Sequence, residues 1–408
     1  MKICIIVDDY LPRSIKVAGK MMHELALEFQ KNGHSVSVIT PDDQLKFGSS
    51  KQHFESIQVI RFSSGRIKNV WKPIRLINEY LLSFRAQLFL RRWIEINPQD
   101  LIVFYSPTIF FSGLVEYLKA KWQCKSFLIV RDFFPQWTID NGLLKEDSVI
   151  VKFFRFYEKR MYKCADKIGI QSPANLEWFR NKFPEFGNTT LLYNWATENA
   201  NIQTSQIEKK SIPKNDISIK VLNLREEYNL KGKIIFFYGG NIGTAQHMQN
   251  LLDLAEGLLK EDTAFFIFLG NGDEFQFVSQ QIRSKNLHNS ILLPSVSQEE
   301  YLFILDQVDV GLITLHPHHK THNFPGKILG YMQKGLPILG IVNPGNDLQS
   351  IINKAGAGYI ETNNDYEELI IAAKRMLSKS LRNKMGNASR ELLKSDFSVS
   401  KAISVILG

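Results

Sequence analysis

Three residues in the last quarter of the chain, Pro325, Gly326 and Lys327, have the types and spacing of a site for an anionic group. Proline is tolerated in the first turn of a helix, where its missing N–H would have no partner. The free amides of that turn, the positive end of the helix dipole and a lysine together suit a phosphate group. An ordinary surface helix with a solvated lysine explains the same residues equally well, so the rest of the chain must decide.

Two glycine-rich turns in the same half of the chain follow apolar stretches that predict strands. Gly239–Gly243 follows Ile234–Tyr238, and Gly270–Glu274 follows Phe265–Leu269. Glycines let the backbone approach a ligand closely and present N–H groups to it. Three turns at the carboxyl ends of strands in one domain favour a nucleotide-diphosphate site over three unrelated structural turns. The residues expected to contact it are Gly240, Asn241, Gly243, Gly270, Asn271, Gly272, Glu274, Pro325, Gly326 and Lys327.

Apolar strands alternate with helical patterns in both halves of the chain, which predicts an α/β fold with two parallel, doubly wound sheets. The segment 199–231, which begins with a polar stretch that contains Pro213, is interpreted as a linker. It separates an N-terminal Rossmann-like domain, 1–198, from a C-terminal one, 232–385. Two such domains place a ligand in the cleft between them, outside the carboxyl ends of the strands.

Composition limits the cellular setting and the partners. Fifty Lys and Arg against forty-one Asp and Glu give a net charge of +9 over 408 residues, which favours anionic partners. Cys4, Cys124 and Cys164 form no CxxC pair, which argues for a reducing cytoplasm and against disulfides or a zinc site. The apolar run at the N-terminus is too short for a signal peptide, and no run reaches the roughly eighteen residues of a spanning helix. We therefore expect that the chain does not cross a membrane.

Two basic stretches interleave cations with aromatic and aliphatic side chains. Residues 66–93 hold seven Lys or Arg against one Glu, and residues 151–163 hold five cations with Phe153, Phe154, Phe156 and Tyr157. Basic amphipathic helices with aromatics fit the surface of an anionic membrane. A core helix with a solvated basic face is the alternative.

Taken together, these motifs resemble family 4 glycosyltransferases, enzymes of the two-domain GT-B fold, across essentially the whole chain. The narrower resemblance is to the bacterial O-antigen L-fucosamine transferases. The matching segments are the early strand with its turn and Gly19, Val7–Pro12, Val130–Trp137 with Asp140–Gly142, Tyr193–Trp195, Gly240–Gly243, Gly270–Glu274, Asn323–Pro337 and Asn343–Leu348.

The resemblance implies a retaining, metal-independent transferase without a cofactor. It would move N-acetyl-L-fucosamine from its uridine diphosphate donor to lipid-linked N-acetylglucosamine, a polyprenyl-diphosphate-linked saccharide, in O-antigen or polysaccharide biosynthesis. It also implies that the segment 386–408 returns to the N-terminal domain. The expected location is the cytoplasm, on the cytoplasmic face of the bacterial inner membrane.

The chain departs from the family pattern at the donor site. The family carries two glutamates eight positions apart, near the donor sugar and on the ribose, and these positions fall on His322 and Gly330. His322 could orient the sugar or diphosphate, or could be one histidine of a polar loop. The family's phosphate-binding Arg and Lys are replaced by Asn241 and Gln246. Lys327 is left as the best cation for the diphosphate.

The resemblance assigns the acceptor to the N-terminal domain. The expected acceptor-binding residues are Tyr10, Lys16, Gly19 and Arg131. Since Arg131 stands where the family often has histidine, Asp132 or Asp9 is the expected general base. A turn or helix-capping carboxylate is the alternative for Asp132.

Other functions compete with this interpretation. A UDP-sugar 2-epimerase shares the fold and nucleotide site but needs no basic amphipathic surface. A nicotinamide oxidoreductase is disfavoured because no GxGxxG follows the first strand. A non-enzymatic protein that binds an anionic ligand would use the positive charge. We expect no nucleic-acid partner, because the cations alternate with apolar residues at helical spacing and do not form a polar groove.

Overall fold

The computed structural model describes residues 1–14, 17–67, 70–106, 108–198, 223–318, 324–362 and 365–408. The chain folds into two compact units. Unit 1 contains Met1–Asn194 and Val399–Gly408, and unit 2 contains Trp195–Ser398. The chain therefore changes unit at 194/195 and 398/399, whereas the sequence placed these changes at 198/199 and 385/386. The first change of unit comes earlier than predicted because residue 196 is already bonded within unit 2, where the Ala196 N–H donates to the Phe397 carbonyl at 3.0 Å.

Unit 1 contains an α/β sheet with the strand order β3-β4-β2-β1-β5-β6-β7-β8 in the described residues. All pairs are parallel except β3 with β4, which are antiparallel. The strands are β1 Lys2–Ile6, β2 Ser35–Asp42, β3 Ser49–Phe54, β4 Ile57–Ser63, β5 Leu101–Tyr105, β6 Lys125–Val130, β7 Lys167–Ile170 and β8 Thr189–Leu191. The first helices are α1 Val17–Lys31, α2 Lys72–Tyr80, α3 Leu82–Ile96, α4 Ser112–Trp122, α5 Gln136–Asp140, α6 Val149–Cys164 and α7 Pro173–Lys182.

Unit 2 contains a second, wholly parallel sheet with the order β11-β10-β9-β12-β13-β14 in the part of the chain described. Its strands are β9 Ile234–Asn241, β10 Ala264–Asn271, β11 Ser290–Leu293, β12 Val310–Thr314, β13 Ile338–Ile341 and β14 Gly358–Glu361. Its helices are α8 Leu224–Glu227, α9 Gln249–Gly257, α10 Phe275–Ser284, α11 Gln298–Leu305, α12 Lys327–Lys334, α13 Leu348–Ala355, α14 Tyr366–Arg375 and α15 Lys379–Leu392. The α/β prediction of two doubly wound Rossmann-like domains is confirmed.

Helix α12 is fixed on the sheet by its buried face. The fully buried Tyr331 donates from its hydroxyl to the carbonyl oxygens of Phe237 and Leu312, at 3.3 and 3.2 Å. Gly311 makes room for that ring, because a Cβ at this position would lie 2.4 Å from it. Burying Ile328 and Met332 on the same face stabilises the unit by about 1.5–3 kcal/mol each. The helix start is therefore held at the carboxyl ends of β9 and β12.

The two C-terminal helices belong to different units. Helix α15 stays in unit 2, where Arg390 donates to the Lys334 carbonyl at 2.7 Å. The last helix, α16 (Val399–Leu407), packs on α1 in unit 1, where Ser400 donates to Glu28 at 2.6 Å. The part of the predicted returning segment that lies in unit 1 is thus limited to Val399–Gly408.

Candidate functional site

The two glycine turns of unit 2 lie side by side because β9 and β10 stay paired into them, up to Asn241 opposite Asn271. A Cβ on Gly270 would lie 1.8 Å from the carbonyl oxygen of Gly240. A Cβ on Gly272 would lie 2.0 Å from the carbonyl oxygen of Ile242. No side chain fits such distances, so glycine is what allows the two turns to contact each other backbone to backbone.

The polar side chains on these turns bond mainly to one another. Asn241 donates to Gln246 at 2.6 Å, and Thr244 donates to Asp273 at 2.8 Å. The hydrogen bond from Thr244 lowers the pKa of Asp273. In the second turn, Asn271 donates to Ser295 at 2.6 Å. The Glu274 carboxylate accepts from the Met248 N–H, just before α9, at 3.5 Å; a carboxylate at this helix start is favoured by the helix dipole.

Lys327, the first residue of α12, reaches back to the first glycine turn. Its Nζ lies 3.4 Å from the centroid of the Tyr238 ring, a cation–π contact. A Cβ on Gly240 would lie 3.4 Å from the same Nζ. Burial lowers the pKa of Lys327 well below its ordinary value. The amine is therefore held where an approaching anion would restore its charge.

The start of α12 has open space beside Gly326. Gly326 has helical backbone angles, φ −58° and ψ −20°, and no atom lies within 4 Å of the position where its Cβ would be. The Ile328 and Leu329 N–H groups donate to the Pro325 and Gly326 carbonyls at 3.1 and 3.3 Å. The two N–H groups before them, of Gly326 and Lys327, precede the first acceptor that the helix supplies and suit an anion. Pro325 precedes them and is half-buried. Amides of the helix start and the Lys327 amine therefore belong to the same small region.

Gly330 packs against helix α11. A Cβ at this position would meet Leu305 Cδ1 at 3.1 Å and Tyr301 Cε1 at 3.9 Å, both on α11. A longer side chain here would have to displace Leu305, which explains locally why a small residue is present. His322, its partner in the predicted departure from the family pattern, lies outside the described residues, as does the predicted acceptor residue Lys16.

In unit 1, several charged residues meet at the carboxyl ends of the adjacent strands β1, β5 and β6. Burial raises the pKa of Tyr105 to about 12, and nearby Arg131 opposes that rise while Asp132 and Asp8 add to it. The Arg131 guanidinium lies 3.5 Å from the Tyr105 hydroxyl. The structure therefore brings the predicted Arg131 and Asp132 together with Asp8, which lies in the matching turn segment Val7–Pro12. Sequence reasoning missed Tyr105, because it is the last residue of an apolar strand and resembles a core side chain.

Tyr10 and Gly19 support this region from within the unit. Tyr10 is fully buried, and its hydroxyl is hydrogen-bonded to His23 Nδ1 at 2.8 Å. Its side chain holds the turn in place and offers no surface to an acceptor. A Cβ on Gly19 would lie 2.8 Å from Ser14 Oγ and 3.4 Å from the Asp9 carbonyl oxygen. Gly19 therefore allows α1 to approach the turn closely.

The basic stretches of unit 1 expose large apolar side chains. Helix α2 buries none of its residues, and Trp71, Ile74 and Ile77 are 72%, 47% and 57% exposed. Tyr80 at its end packs against Phe153 and Tyr157 of α6, with centroids 6.1 and 5.7 Å apart. Helices α3 and α6 also bury one face in the core. The core-helix alternative therefore applies to α3 and α6, while membrane binding through the exposed side chains of α2 stays a prediction.

Two kinds of feature are absent from the described part of the chain. None of the helices found there is long and apolar enough to cross a bilayer. No group of three or more His, Cys, Asp or Glu side chains among those residues is placed to hold a metal ion.

Comparisons with known proteins give the same picture for both halves of the chain. Residues 18–196 match the family model Glycosyltransferase Family 4, and residues 221–392 match Glycosyl transferases group 1. The probable glycosyltransferase WbjE of Pseudomonas aeruginosa is 26% identical over 274 residues, which are 67% of this chain. The alignment spans 65% of that relative, slightly less than two-thirds of its length.

Solved structures show the same fold. WaaG, a glycosyltransferase involved in lipopolysaccharide biosynthesis, matches with a TM-score of 0.64 and 14% identity, covering 99% of this chain and 98% of its own. HepE of Anabaena, solved in complex with UDP, matches with a TM-score of 0.65 and 14% identity, covering 100% of this chain and 99% of its own.

Proposed function

Since the chain belongs to the glycosyltransferases of the GT-B fold, we propose that it transfers a sugar from a uridine diphosphate donor to a lipid-linked saccharide. The observation that carries the proposal is the position of Lys327, whose amine lies against the Gly240 turn at the carboxyl end of β9. The finer proposal is retaining, metal-independent transfer of N-acetyl-L-fucosamine to a polyprenyl-diphosphate-linked acceptor in polysaccharide biosynthesis.

The chemistry of the donor explains why these groups are needed. Cleavage of the bond between sugar and diphosphate leaves growing negative charge on the departing oxygens. Preorganised amides and a cation that face this charge lower the barrier, because they need not reorganise as it develops. The backbone N–H groups of Gly326 and Lys327, the glycine turn and the Lys327 amine fit this role. The complex of HepE with UDP supports a uridine donor.

A screen of nucleotide sugars tests the proposal. We expect uridine diphosphate sugars to raise the Tm of the protein, and guanosine or adenosine diphosphate sugars to raise it less. Incubation with UDP-N-acetyl-L-fucosamine and a polyprenyl-diphosphate acceptor should yield a product heavier by one sugar. Conversion of a UDP-sugar to its 2-epimer without any acceptor would favour the epimerase instead.

Donor binding should take up a proton. Because the pKa of Lys327 is lowered in the ligand-free protein, a fraction of the amine is neutral above that pKa, and the diphosphate raises the pKa again. Uptake should approach about one proton between the two pKa values and vanish at lower pH. Calorimetry of UDP binding in buffers of different ionisation enthalpy measures it. Lys327→Met should abolish the uptake, while Lys334→Met on the same helix should keep it.

On the acceptor side, Asp132 and Asp9 are the two candidates that orient or deprotonate the attacking hydroxyl. We expect kcat to fall about tenfold to a hundredfold when the carboxylate that contacts this hydroxyl is replaced by asparagine. This is the effect of losing a hydrogen bond to a charged group. Asp100→Asn is the matched control, since Asp100 stands at the opposite end of β5. Full activity in both the Asp132 and Asp9 variants would remove these two carboxylates from the mechanism.

The exposed face of α2 should bind anionic membranes. Apolar side chains inserted at the interface and surface cations, each contributing about 1 kcal/mol, make such binding salt-sensitive. Replacing Trp71, Ile74 and Ile77 together by serine should remove most flotation with vesicles that contain phosphatidylglycerol. Ile371→Ser changes an exposed isoleucine of unit 2 and should float like the wild type. Equal flotation of all three proteins would contradict membrane binding through α2, and with it the proposed location on the inner membrane.

A further inference from the structure

Unit 1 contains a polar cleft beside the Asp9 turn that has no assigned role. Its volume is about 680 Å³, within the roughly 300–1,000 Å³ of small-molecule sites. It is bounded by the turn after β1, the end of β2 with the loop that follows it, and the segment between β4 and α2. Its charged lining consists of Asp9, Arg13, Asp42, Asp43, Lys46, Arg61 and Arg66.

Arg61 is the unusual member of this lining. It is 2% exposed, and one of its terminal nitrogens donates to the carbonyl oxygens of Tyr10 and Leu11, at 3.2 and 2.7 Å. Its Nε has no hydrogen-bond partner among the described residues. A buried, partly unpaired guanidinium is unfavourable unless an anion or another acceptor can reach it. Burial and, to a smaller extent, nearby Arg13 lower the pKa of Arg61, while Asp42 and Asp9 oppose that shift.

The other charges make the cleft suited to a ligand that carries both an anion and hydroxyl groups. Arg13 is paired with Asp42. Arg66 and Lys46 are exposed at the cleft and add positive charge, while Asp9 and Asp43 add acceptors. Guanidinium groups bind phosphate through two parallel hydrogen bonds, and carboxylates accept hydrogen bonds from sugar hydroxyls. A phosphorylated sugar meets both requirements.

We propose that this cleft holds the phosphate-bearing sugar of the acceptor. The inference rests on the proposed transferase function and adds to it the place where the acceptor's phosphate is bound. Val70 in the cleft wall directly precedes Trp71, the first exposed aromatic residue before α2. A lipid attached to the phosphate would therefore leave the cleft beside the apolar surface of α2. Asp9, the candidate base, lines the same cleft as the phosphate-binding cations.

Calorimetry with the full-length protein tests the site with a soluble probe. N-acetylglucosamine 1-phosphate should bind at least about tenfold more tightly than N-acetylglucosamine, the contribution of hydrogen bonds to a charged group. The double charge reversal Lys46→Glu with Arg66→Glu should abolish that difference. Lys51→Glu, on the exposed edge strand β3, should leave it unchanged. UDP binding and the unfolding transition should be the same in all three proteins, which shows that unit 2 and the substituted unit 1 are both folded.

A second measurement separates a lipid-linked from a soluble source of the phosphate. Transfer to a polyprenyl-diphosphate acceptor in phosphatidylcholine vesicles should fall at least about tenfold in the double variant and stay unchanged in Lys51→Glu. If N-acetylglucosamine 1-phosphate is bound but lipid-linked transfer does not change, the acceptor phosphate is not held here and the inference is overturned. Equal affinity of the wild type and the double variant for the sugar phosphate overturns it as well.

The two proposals fail in different ways. A wild-type protein that binds UDP and transfers sugar, but whose sugar-phosphate affinity does not depend on Lys46 and Arg66, refutes the cleft and leaves the transferase standing. A wild-type protein that binds no nucleotide sugar and makes no product refutes the transferase, whatever the cleft binds.

Discussion

Lys327→Ala should lower kcat by about a hundredfold to a thousandfold, the effect of removing one preorganised group that faces developing charge. The lysine is the cation that the structure places against the Gly240 turn, and the chain has Asn241 and Gln246 where relatives are expected to carry basic residues. The loss should appear in kcat more than in KM if the amine acts on the departing diphosphate. Lys334→Ala, seven residues later on the same helix, is the control and should keep near-normal turnover.

The same substitution should leave stability unharmed, and the sign follows from the lowered pKa of Lys327. Between the lowered pKa of the folded protein and the ordinary pKa of an unfolded lysine, the unfolded state binds more protons than the folded one, so stability is lost as the pH falls through this range. Removing the amine near neutral pH should leave the Tm unchanged or raise it. Lost turnover with an equal or higher Tm assigns the effect to chemistry, whereas normal turnover would remove Lys327 from the donor site.

Gly270→Ala should abolish measurable UDP binding and lower the free energy of unfolding by about 1–3 kcal/mol, the usual range for overpacking. The new Cβ would overlap the Gly240 carbonyl oxygen, so β9 and β10 could no longer stay paired into the turns. The Lys327 amine, which lies against Gly240, would lose its position at the same time. The disrupted strand pairing and the displaced amine both affect the donor site, which is why the expected effect on UDP binding is large.

Gly187→Ala is the matched control for that substitution. Gly187 lies in unit 1, and no atom approaches within 4 Å of the position where its Cβ would be. Urea unfolding and UDP titration of both variants compare the same chemical change in crowded and open surroundings. Near-normal UDP affinity of Gly270→Ala would show that the paired turns do not form the donor site.

Most of the architecture could be predicted from the sequence, because strands buried on both faces leave continuous apolar runs. The apolar run Ile3–Val7 coincides with β1 to within one residue at each end. The run Ile234–Tyr238 coincides with the first five residues of β9, which continues to Asn241. Edge strands were missed for the same reason. The sequence of β3, Ser-Ser-Lys-Gln-His-Phe, has no apolar rhythm, and its residues are half or fully exposed. Its place was decided by antiparallel pairing with β4 and not by its own composition.

For the carboxylates of unit 1, the sequence identified the residues but not their neighbours. Asp9 and Asp132 were identified from their turns, but their surroundings were not. The structure places Asp132 near Tyr105 and Arg131, and it places Asp9 in the lining of the polar cleft. The sequence did not single out Arg61, because a lone arginine within an apolar strand resembles a solvated side chain. Its burial depends on the Tyr10–Leu11 carbonyls, which are distant in sequence.

The Pro325–Lys327 stretch illustrates what each level determined. The sequence by itself determined a helix start with free amides and a lysine, since proline and glycine act locally on the backbone. It could not determine the partner of that lysine, because a side chain's neighbours depend on the order of strands in the sheet. Only the tertiary structure, by placing β12 beside β9 and anchoring Tyr331 on both, brought the Lys327 amine to Tyr238 and Gly240. Burial at that place then lowered the pKa of the amine, a property that belongs to the packed surroundings and not to the residue.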